Sequence, residues 1–348
     1  MNVPVTIVGF GLAGALVATE LLRRGRRLRI VDETLPGAAS PVGPGQINPL
    51  ATRRFRVGWK LDEALPVALD TYRAIEAACG EPLYRECPIL RVVKDQAQAE
   101  DLENRRKEPE TARWIRGPSP AEQQCIATRL RAPFGAFVTV GGGWLDVPRF
   151  LEVMRRALHS DPRVHWNPPE TATLRNPSAA LPASGTTVWC EGWRARHNPL
   201  WRHMDHNPAK GEWMRVRLCE PLGVKVIVNG PCWILPLPDG TARVGATYAW
   251  SSFEAGPSAD ARVTLVKNLA ATYSGAFEIL SQHVGVRPIV RDTRPVAGRH
   301  PEHPEHWILN GLGSKGALYG PWAARLLADA MEAGAALPRE IDAARFFR

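Results

Sequence analysis

The sequence predicts an α/β protein with two interleaved domains, and three observations lead to this prediction. The chain has 348 residues, which is too many for one hydrophobic core. Its N-terminus has the pattern of a strand, a glycine turn and a helix. Short apolar segments farther along the chain have the pattern of strands in a mainly antiparallel sheet. These segments are residues 90–93, 214–218, 225–228 and 243–247.

Composition and charge indicate an ordinary folded protein. Hydrophobic residues make up 45% of the chain and charged residues 23%, as in soluble globular proteins. No apolar run reaches the roughly 18 residues needed to cross a bilayer, and the first residues lack the charged start of a signal peptide. We therefore expect a cytoplasmic protein without a transmembrane segment. The six cysteines form no CxxC pair, so we expect reduced thiols and no metal site.

The net charge of +9 has two interpretations. A basic surface attracts nucleic acid, anionic lipid or acidic substrates. An arginine-rich composition also arises without any selected partner, and the sequence contains no recognised RNA-binding module. The second interpretation is preferred, because surface charge alone is weak support for a nucleic-acid partner.

A turn that contains three glycines directly follows the first β-branched run, residues 5–8, and precedes the first predicted helix. In such a turn the first glycine permits the tight bend and the second lets the backbone approach a pyrophosphate. The third lets the helix pack closely on the strand. Free N–H groups at the start of the helix favour the anion. The predicted contacts in this turn are Gly9, Gly11, Leu12, Ala13 and Gly14.

An acidic residue follows the second predicted strand, residues 28–31. Asp32 lies about twenty residues beyond the first glycine, the distance at which an acid can accept hydrogen bonds from ribose hydroxyls. Glu33 is the next residue. The turn and the acid together predict a Rossmann-type dinucleotide-binding domain, and the turn alone does not distinguish NAD from FAD.

Several segments along almost the whole chain resemble one family. The C-terminal segment Gly-Leu-Gly-Ser-Lys-Gly-Ala at 311–317 is similar to glycine and sarcosine oxidases, which are D-amino-acid-oxidase superfamily flavoproteins. The closest resemblance is to the flavin domain of the bifunctional bacterial enzymes that build methylaminomethyl-thiouridine at the tRNA wobble position. Lys315 stands where those enzymes tend to have arginine. The other resembling segments are 37–49, 141–145, 187–192, 234–240, 243–247, 285–288 and 293–298.

The resemblance implies a glutathione-reductase-like, Rossmann-type FAD-binding domain interleaved with an α+β substrate domain on a mainly antiparallel sheet. The FAD-binding domain would comprise residues 1–80, 140–206 and 285–348, and the substrate domain 81–139 and 207–284. The FAD would be non-covalent, since the C-terminal flavin segments contain no cysteine. The further cofactor contacts implied are Ala39, Ser40, Gln46, Gly192, Gly313, Ser314, Lys315 and Gly316.

The resemblance also implies four residues around the substrate. Arg287 matches an arginine that holds the substrate carboxylate, and the alternative is a structural ion pair with Asp292. Lys315 would place a charge at the flavin edge, or would face the solvent. Trp233 and Tyr248 would wall the pocket, or would serve only as core packing.

The activity implied is oxidation of a C–N bond in an amino acid or N-substituted glycine, by hydride transfer to the flavin N5. The expected partner is a small amine or amino acid. One alternative is a tRNA modification factor that acts on a carboxymethylaminomethyl-type group of wobble uridine. Another is a flavoprotein subunit without amine oxidation of its own.

Overall fold

The computed structural model describes residues 3–33, 35–167, 185–253 and 256–347. In this part of the chain, strands form a six-stranded, an eight-stranded and a three-stranded sheet. Both parallel and antiparallel pairs occur, and α-helices pack around the sheets. The predicted α/β fold class is confirmed. The domain boundaries stay a prediction.

The six-stranded sheet contains the N-terminal unit. β1 (Val5–Val8) pairs in parallel with β2 (Leu28–Val31) on one side and with β10 (Thr187–Trp189) on the other. Every residue of β1 is buried, as expected for a strand covered on both faces. α1 (Leu12–Arg23) packs against β1 and against α8 (Gly316–Ala333). The remaining strands of this sheet are β9 (Val164–Trp166), β16 (Val296–Arg299) and β17 (His306–Asn310).

The eight-stranded sheet is antiparallel apart from one pair. Its longest ladder joins β11 (Ala209–Leu218) to β15 (Phe277–Arg287), and β11 also pairs with β14 (Ala242–Gly245). Met214 and Val244 are opposite each other and belong to the core on one face of the sheet. The other strands are β5 (Ile89–Val92), β6 (Ile115–Arg116), β7 (Ala136–Thr139), β12 (Ile227–Asn229) and β13 (Trp233–Pro236), of which β12 and β5 run parallel.

A small third sheet and further helices complete the described part of the chain. The sheet consists of β3 (Gln46–Ile47), β4 (Tyr84–Glu86) and β8 (Gly143–Leu145). Among the helices that the structure describes, none is long and apolar enough to cross a membrane. The other helices are α2 (Leu61–Cys79), α3 (Gln96–Arg106), α4 (Pro109–Ala112), α5 (Pro120–Arg129), α6 (Val147–His159) and α7 (Ala259–Ala270).

Of the described helices that begin without a side-chain cap, α1 and α8 both begin at the same cavity. α5 begins with a capping box, in which the side chains of Ser119 and Glu122 each accept a hydrogen bond from the other's backbone N–H. By contrast, α1 begins after Gly11 and α8 begins after Lys315, and neither of these residues caps its helix. The first N–H groups of a helix have no partner within the helix itself. Apart from that of Leu12, which donates to Ser40, those of α1 and α8 can therefore serve a bound anion.

Candidate active site

A cavity of about 480 Å³ is lined from two sides. One side is formed by residues beyond the carboxyl ends of β1, β2 and β10, where ligands bind in open parallel sheets. The other side is formed by residues of β11, β12, β13 and β15 of the eight-stranded sheet, and by Ala246 and Tyr248, which follow β14. Every predicted site residue lines this cavity except Gly14.

The glycine turn before α1 fits the role predicted for it. Gly9 has φ +91°, and a Cβ there would lie 2.6 Å from the carbonyl oxygen of Cys190. A Cβ on Gly14 would lie 2.0 Å from the carbonyl oxygen of Gly9, so Gly14 permits close packing without reaching the cavity. A Cβ on Gly11 would lie 2.9 Å from Oγ of Ser40. That hydroxyl accepts a hydrogen bond from the N–H of Leu12 at 3.0 Å.

The predicted ribose acid already has two partners. Asp32 accepts hydrogen bonds from the N–H of Phe10 at 2.7 Å and from Nη2 of Arg155 at 2.5 Å. Arg155 comes from α6 and also lies 5.0 Å from the centre of the Phe10 ring. Nearby, Oε2 of Glu33 and Nε2 of Gln46 are buried and have no hydrogen-bond partner among the residues that the structure describes. These unsatisfied polar atoms and the open glycine turn fit a bound dinucleotide.

The second turn, before α8, approaches the same cavity. Gly313 has φ +53° and donates to the carbonyl of Pro288 at 3.0 Å. Lys315 is partly buried, and its ammonium lies 6.0 Å from the centre of the Tyr319 ring. Burial, and then the charge of Arg294, lower the pKa of Lys315 below its usual value. The role of Lys315 at the flavin edge stays a prediction.

Glycines on the eight-stranded sheet make room for larger side chains beside the cavity. A Cβ on Gly245 would lie 2.5 Å from Cζ2 of Trp233, so the indole lies against the β14 backbone. A Cβ on Gly285 would lie 2.6 Å from a methyl group of Val42. Trp213, directly opposite Gly245, is 8% exposed and donates from Nε1 to the carbonyl of Val42 at 2.8 Å.

Arg287 ends β15 with its guanidinium at the cavity. One nitrogen donates to the carbonyl of Thr247 at 3.3 Å, and the guanidinium carbon lies 4.0 Å from the centre of the Tyr248 ring. Burial lowers the pKa of Arg287 below its usual value. Asp292 instead pairs with Arg345 at 2.9 Å. Within the described ranges, no carboxylate forms an ion pair with Arg287, and the alternative pairing with Asp292 does not occur.

The two predicted wall residues differ in their surroundings. Trp233 is partly buried and packs against the buried side chains of Ile227 and Leu235, so it contributes to the core as well as to the cavity wall. Tyr248 is 51% exposed, which excludes a core role. Its hydroxyl lies 3.1 Å from Oγ of Ser314, a hydrogen bond that joins β14's following loop to the turn before α8.

Sequence reasoning missed several cavity residues, among them Trp213, Arg155 and Glu191. Trp213 and Arg155 carry no local motif that marks them. Glu191 directly precedes the predicted contact Gly192, and this position could have indicated that it also lies at the cavity. Burial raises the pKa of Glu191 to about 7, and one carboxylate oxygen accepts a hydrogen bond from the side-chain amide of Asn198 at 2.8 Å. The described residues contain no cluster of three or more side chains suited to a metal ion.

Comparison with known families agrees with this geometry. The sequence profile of the DAO family, described as FAD dependent oxidoreductase, matches residues 4–330. The chain belongs to this family. It is therefore an enzyme that uses FAD, and the glycine turn, Asp32 and the turn before α8 are the residues of this chain that would hold the cofactor.

The chain is similar to two relatives of known name and to one solved structure. A glycine oxidase of Geobacillus kaustophilus is 26% identical over 94% of this chain and 92% of its own length. A bifunctional protein of tRNA 5-methylaminomethyl-2-thiouridine biosynthesis from an Azoarcus species is 25% identical over 97% of this chain. The chain spans only 58% of that relative's length. The crystal structure of iminodiacetate oxidase from Chelativorans covers 97% of this chain and is itself 98% covered, with a TM-score of 0.80 and 22% identity.

Proposed function

We propose that the protein oxidises a C–N bond in an amino acid or an N-substituted glycine. The observation that carries this proposal is Arg287. A partly buried guanidinium beside the cavity has one long bond to a carbonyl and an aromatic ring as its neighbours, and no carboxylate neutralises it among the described residues. A substrate carboxylate would supply the negative charge that pairs with this guanidinium.

The chain's own residues would bind and orient the substrate. Arginine suits the task because its planar fork bonds both carboxylate oxygens and keeps its charge. Trp233 and Tyr248 would limit the space around the substrate's α-carbon and exclude water from it. FAD, when bound, supplies the hydride acceptor. The uncapped N–H groups of α8 and the Lys315 ammonium would favour negative charge that develops beside them.

Anaerobic mixing of the FAD-loaded protein with matched ligand pairs tests this function. Each pair consists of a carboxylated amine and the amine that lacks its carboxylates: glycine with methylamine, and sarcosine or iminodiacetate with dimethylamine. We expect loss of the oxidised flavin absorbance with carboxylated members and little or none with their partners. Equal bleaching by both members of each pair would contradict the proposal. A flavin that no ligand in a broad panel bleaches would favour a subunit without amine oxidation.

A second candidate substrate is a carboxymethylaminomethyl group on tRNA. The observation that favours it is the exposed run Arg53, Arg54 and Arg56, next to Thr52, which lines the cavity. Backbone phosphates bound by such residues would make retention of tRNA fall steeply with salt. Replacing the three arginines with Ser should then abolish retention while oxidation of free amino acids continues. Salt-independent or absent retention by the wild-type protein would remove this candidate.

A further inference from the structure

We propose that Gly211 is a positioning residue for Arg287, because its missing side chain leaves the space that the guanidinium occupies. This inference rests on the proposed function of Arg287 as the carboxylate-binding residue. A Cβ on Gly211 would lie 2.2 Å from Nη1, 2.3 Å from Nη2 and 2.4 Å from Cζ of Arg287. All three distances are far shorter than any real contact, so the guanidinium lies directly over the Gly211 backbone.

The strand that carries Gly211 is held on both edges and has little freedom to move aside. β11 pairs with β15 on one side, and Gly211 is opposite Gly285. On the other side, Lys210 exchanges backbone hydrogen bonds with Ala249 at 2.7 and 2.9 Å. The backbone N–H of Thr247 donates to the carbonyl of Glu212 at 3.0 Å.

The two residues that flank Gly211 form a buried ion pair. Nζ of Lys210 lies 3.3 Å from Oε1 of Glu212, and the side chains are 5% and 3% exposed. Glu212 also accepts hydrogen bonds from Gln282 and from both the N–H and the hydroxyl of Ser258, at 2.7 to 2.9 Å. Nζ of Lys210 donates to the carbonyl of Gly256 at 2.9 Å. Because these buried charges are paired and hydrogen-bonded, moving the strand would break costly interactions.

A methyl group at position 211 must therefore displace the guanidinium rather than the strand. The end of an arginine side chain is flexible, so the clash can be relieved without unfolding. The change would alter the position of the guanidinium. Its N–H donors would no longer lie where the contacts with Thr247 and Tyr248 now hold them. Two-pronged binding of a carboxylate depends on that position. Gly211 thus sets carboxylate affinity through the position of Arg287.

The test is Gly211→Ala in the FAD-loaded protein, with acetate as the probe and the flavin absorption spectrum as the signal. We expect the variant to keep its FAD and its unfolding temperature within a few degrees, and the Kd for acetate to rise about tenfold or more. The matched control is Gly117→Ala, because a Cβ there meets no atom within 4 Å. Its acetate affinity should equal that of the wild type.

A double-mutant cycle separates this role from a general structural one. In the Arg287→Ala background, Gly211→Ala should change acetate affinity no further, because the group it displaces is gone. An equal loss in both backgrounds, or wild-type affinity in Gly211→Ala alone, would overturn the inference. Should Gly211→Ala lose its fold or FAD, the double variant should regain both, and failure to regain them would also overturn it.

The outcomes distinguish this inference from the proposed function. Acetate binding that depends on Arg287 and Gly211 in a protein that oxidises no amine would leave the positioning role intact and remove only the oxidation proposal. Oxidation of amino acids with full acetate affinity in Gly211→Ala would do the reverse. Failure of acetate to perturb the wild-type flavin would remove Arg287 as the carboxylate-binding residue, and Gly211 with it.

Discussion

Replacement of Arg287 gives the most direct test of how the substrate is held. In the structure its guanidinium has one hydrogen bond, at 3.3 Å, so most of its N–H donors remain for a ligand. A charge-assisted hydrogen bond is worth about 1.5 to 3 kcal/mol, which corresponds to roughly a tenfold to 150-fold change in an equilibrium or rate ratio. We therefore expect Arg287→Ala to lower kcat/KM for an amino-acid substrate by about that factor or more. Arg287→Lys keeps the charge without the planar fork and should fall between Ala and wild type.

The assay compares the variants as FAD-loaded, folded proteins. Stopped-flow bleaching of the flavin with the amino acid gives the efficiency, and the slow residual bleaching with the matched decarboxylated amine should not change in Arg287→Ala. Arg262→Ala, on the exposed face of α7, is the control for loss of one positive charge. An Arg287→Ala protein that oxidises its carboxylated substrate as well as the wild type would refute the reasoning. So would an equal loss with the decarboxylated amine.

Three further predictions concern the cofactor, its attachment and the pH dependence of stability. Gly11→Val should be purified without FAD, because its side chain would press on Ser40 and on the space for the pyrophosphate; a flavin-to-protein absorbance ratio equal to that of the wild type would contradict this. Acid precipitation of the wild type should leave the FAD in the supernatant, and yellow colour in the pellet would show a covalent bond. Glu191 keeps its proton to about pH 7 when folded but releases it near pH 4.5 when unfolded, so the folded protein binds more protons between these values. The unfolding free energy of the apoprotein should thus fall as pH rises from 4.5 to 7, by up to about 3 kcal/mol, and urea titrations should show a smaller fall in Glu191→Gln.

Local sequence patterns were enough to predict the first two strands and the glycine turn that lies at the cavity. The residues of β2 were predicted without error, because a short β-branched run between polar residues has one interpretation. The sequence pattern predicts helices over residues 15–24 and 319–332, whereas the two helices that open at the cavity begin earlier, at Leu12 and Gly316. The first turns of these helices contain glycine and lack a side-chain cap, so the periodicity of apolar residues does not reveal them. A phosphate or flavin site requires such free N–H groups at a helix start.

The substrate side depends on distant pairs of residues, which a single sequence does not show. Gly211 and Arg287 are far apart along the chain and meet only because β11 and β15 pair in register. The pairing of Asp32 with Arg155 likewise requires α6 to pack beside the end of β2. A resemblance supplied Arg287, but the absence of a paired carboxylate, the glycine beneath it and the ring beside it could be found only in three dimensions.

Tyr248 contacts both the Arg287 side of the cavity and the turn before α8. Its ring contacts the guanidinium of Arg287, and its hydroxyl bonds Ser314 in the turn before α8. A ligand that shifts the guanidinium therefore acts on a side chain that also contacts the helix turn. By thermodynamic linkage, any effect of a bound carboxylate on how tightly the oxidised cofactor is retained must be matched by an equal effect of the cofactor on carboxylate affinity. Tyr248→Phe removes the hydrogen bond to Ser314 and keeps the ring. The change in coupling free energy between carboxylate and cofactor binding in this variant would measure the contribution of the hydroxyl.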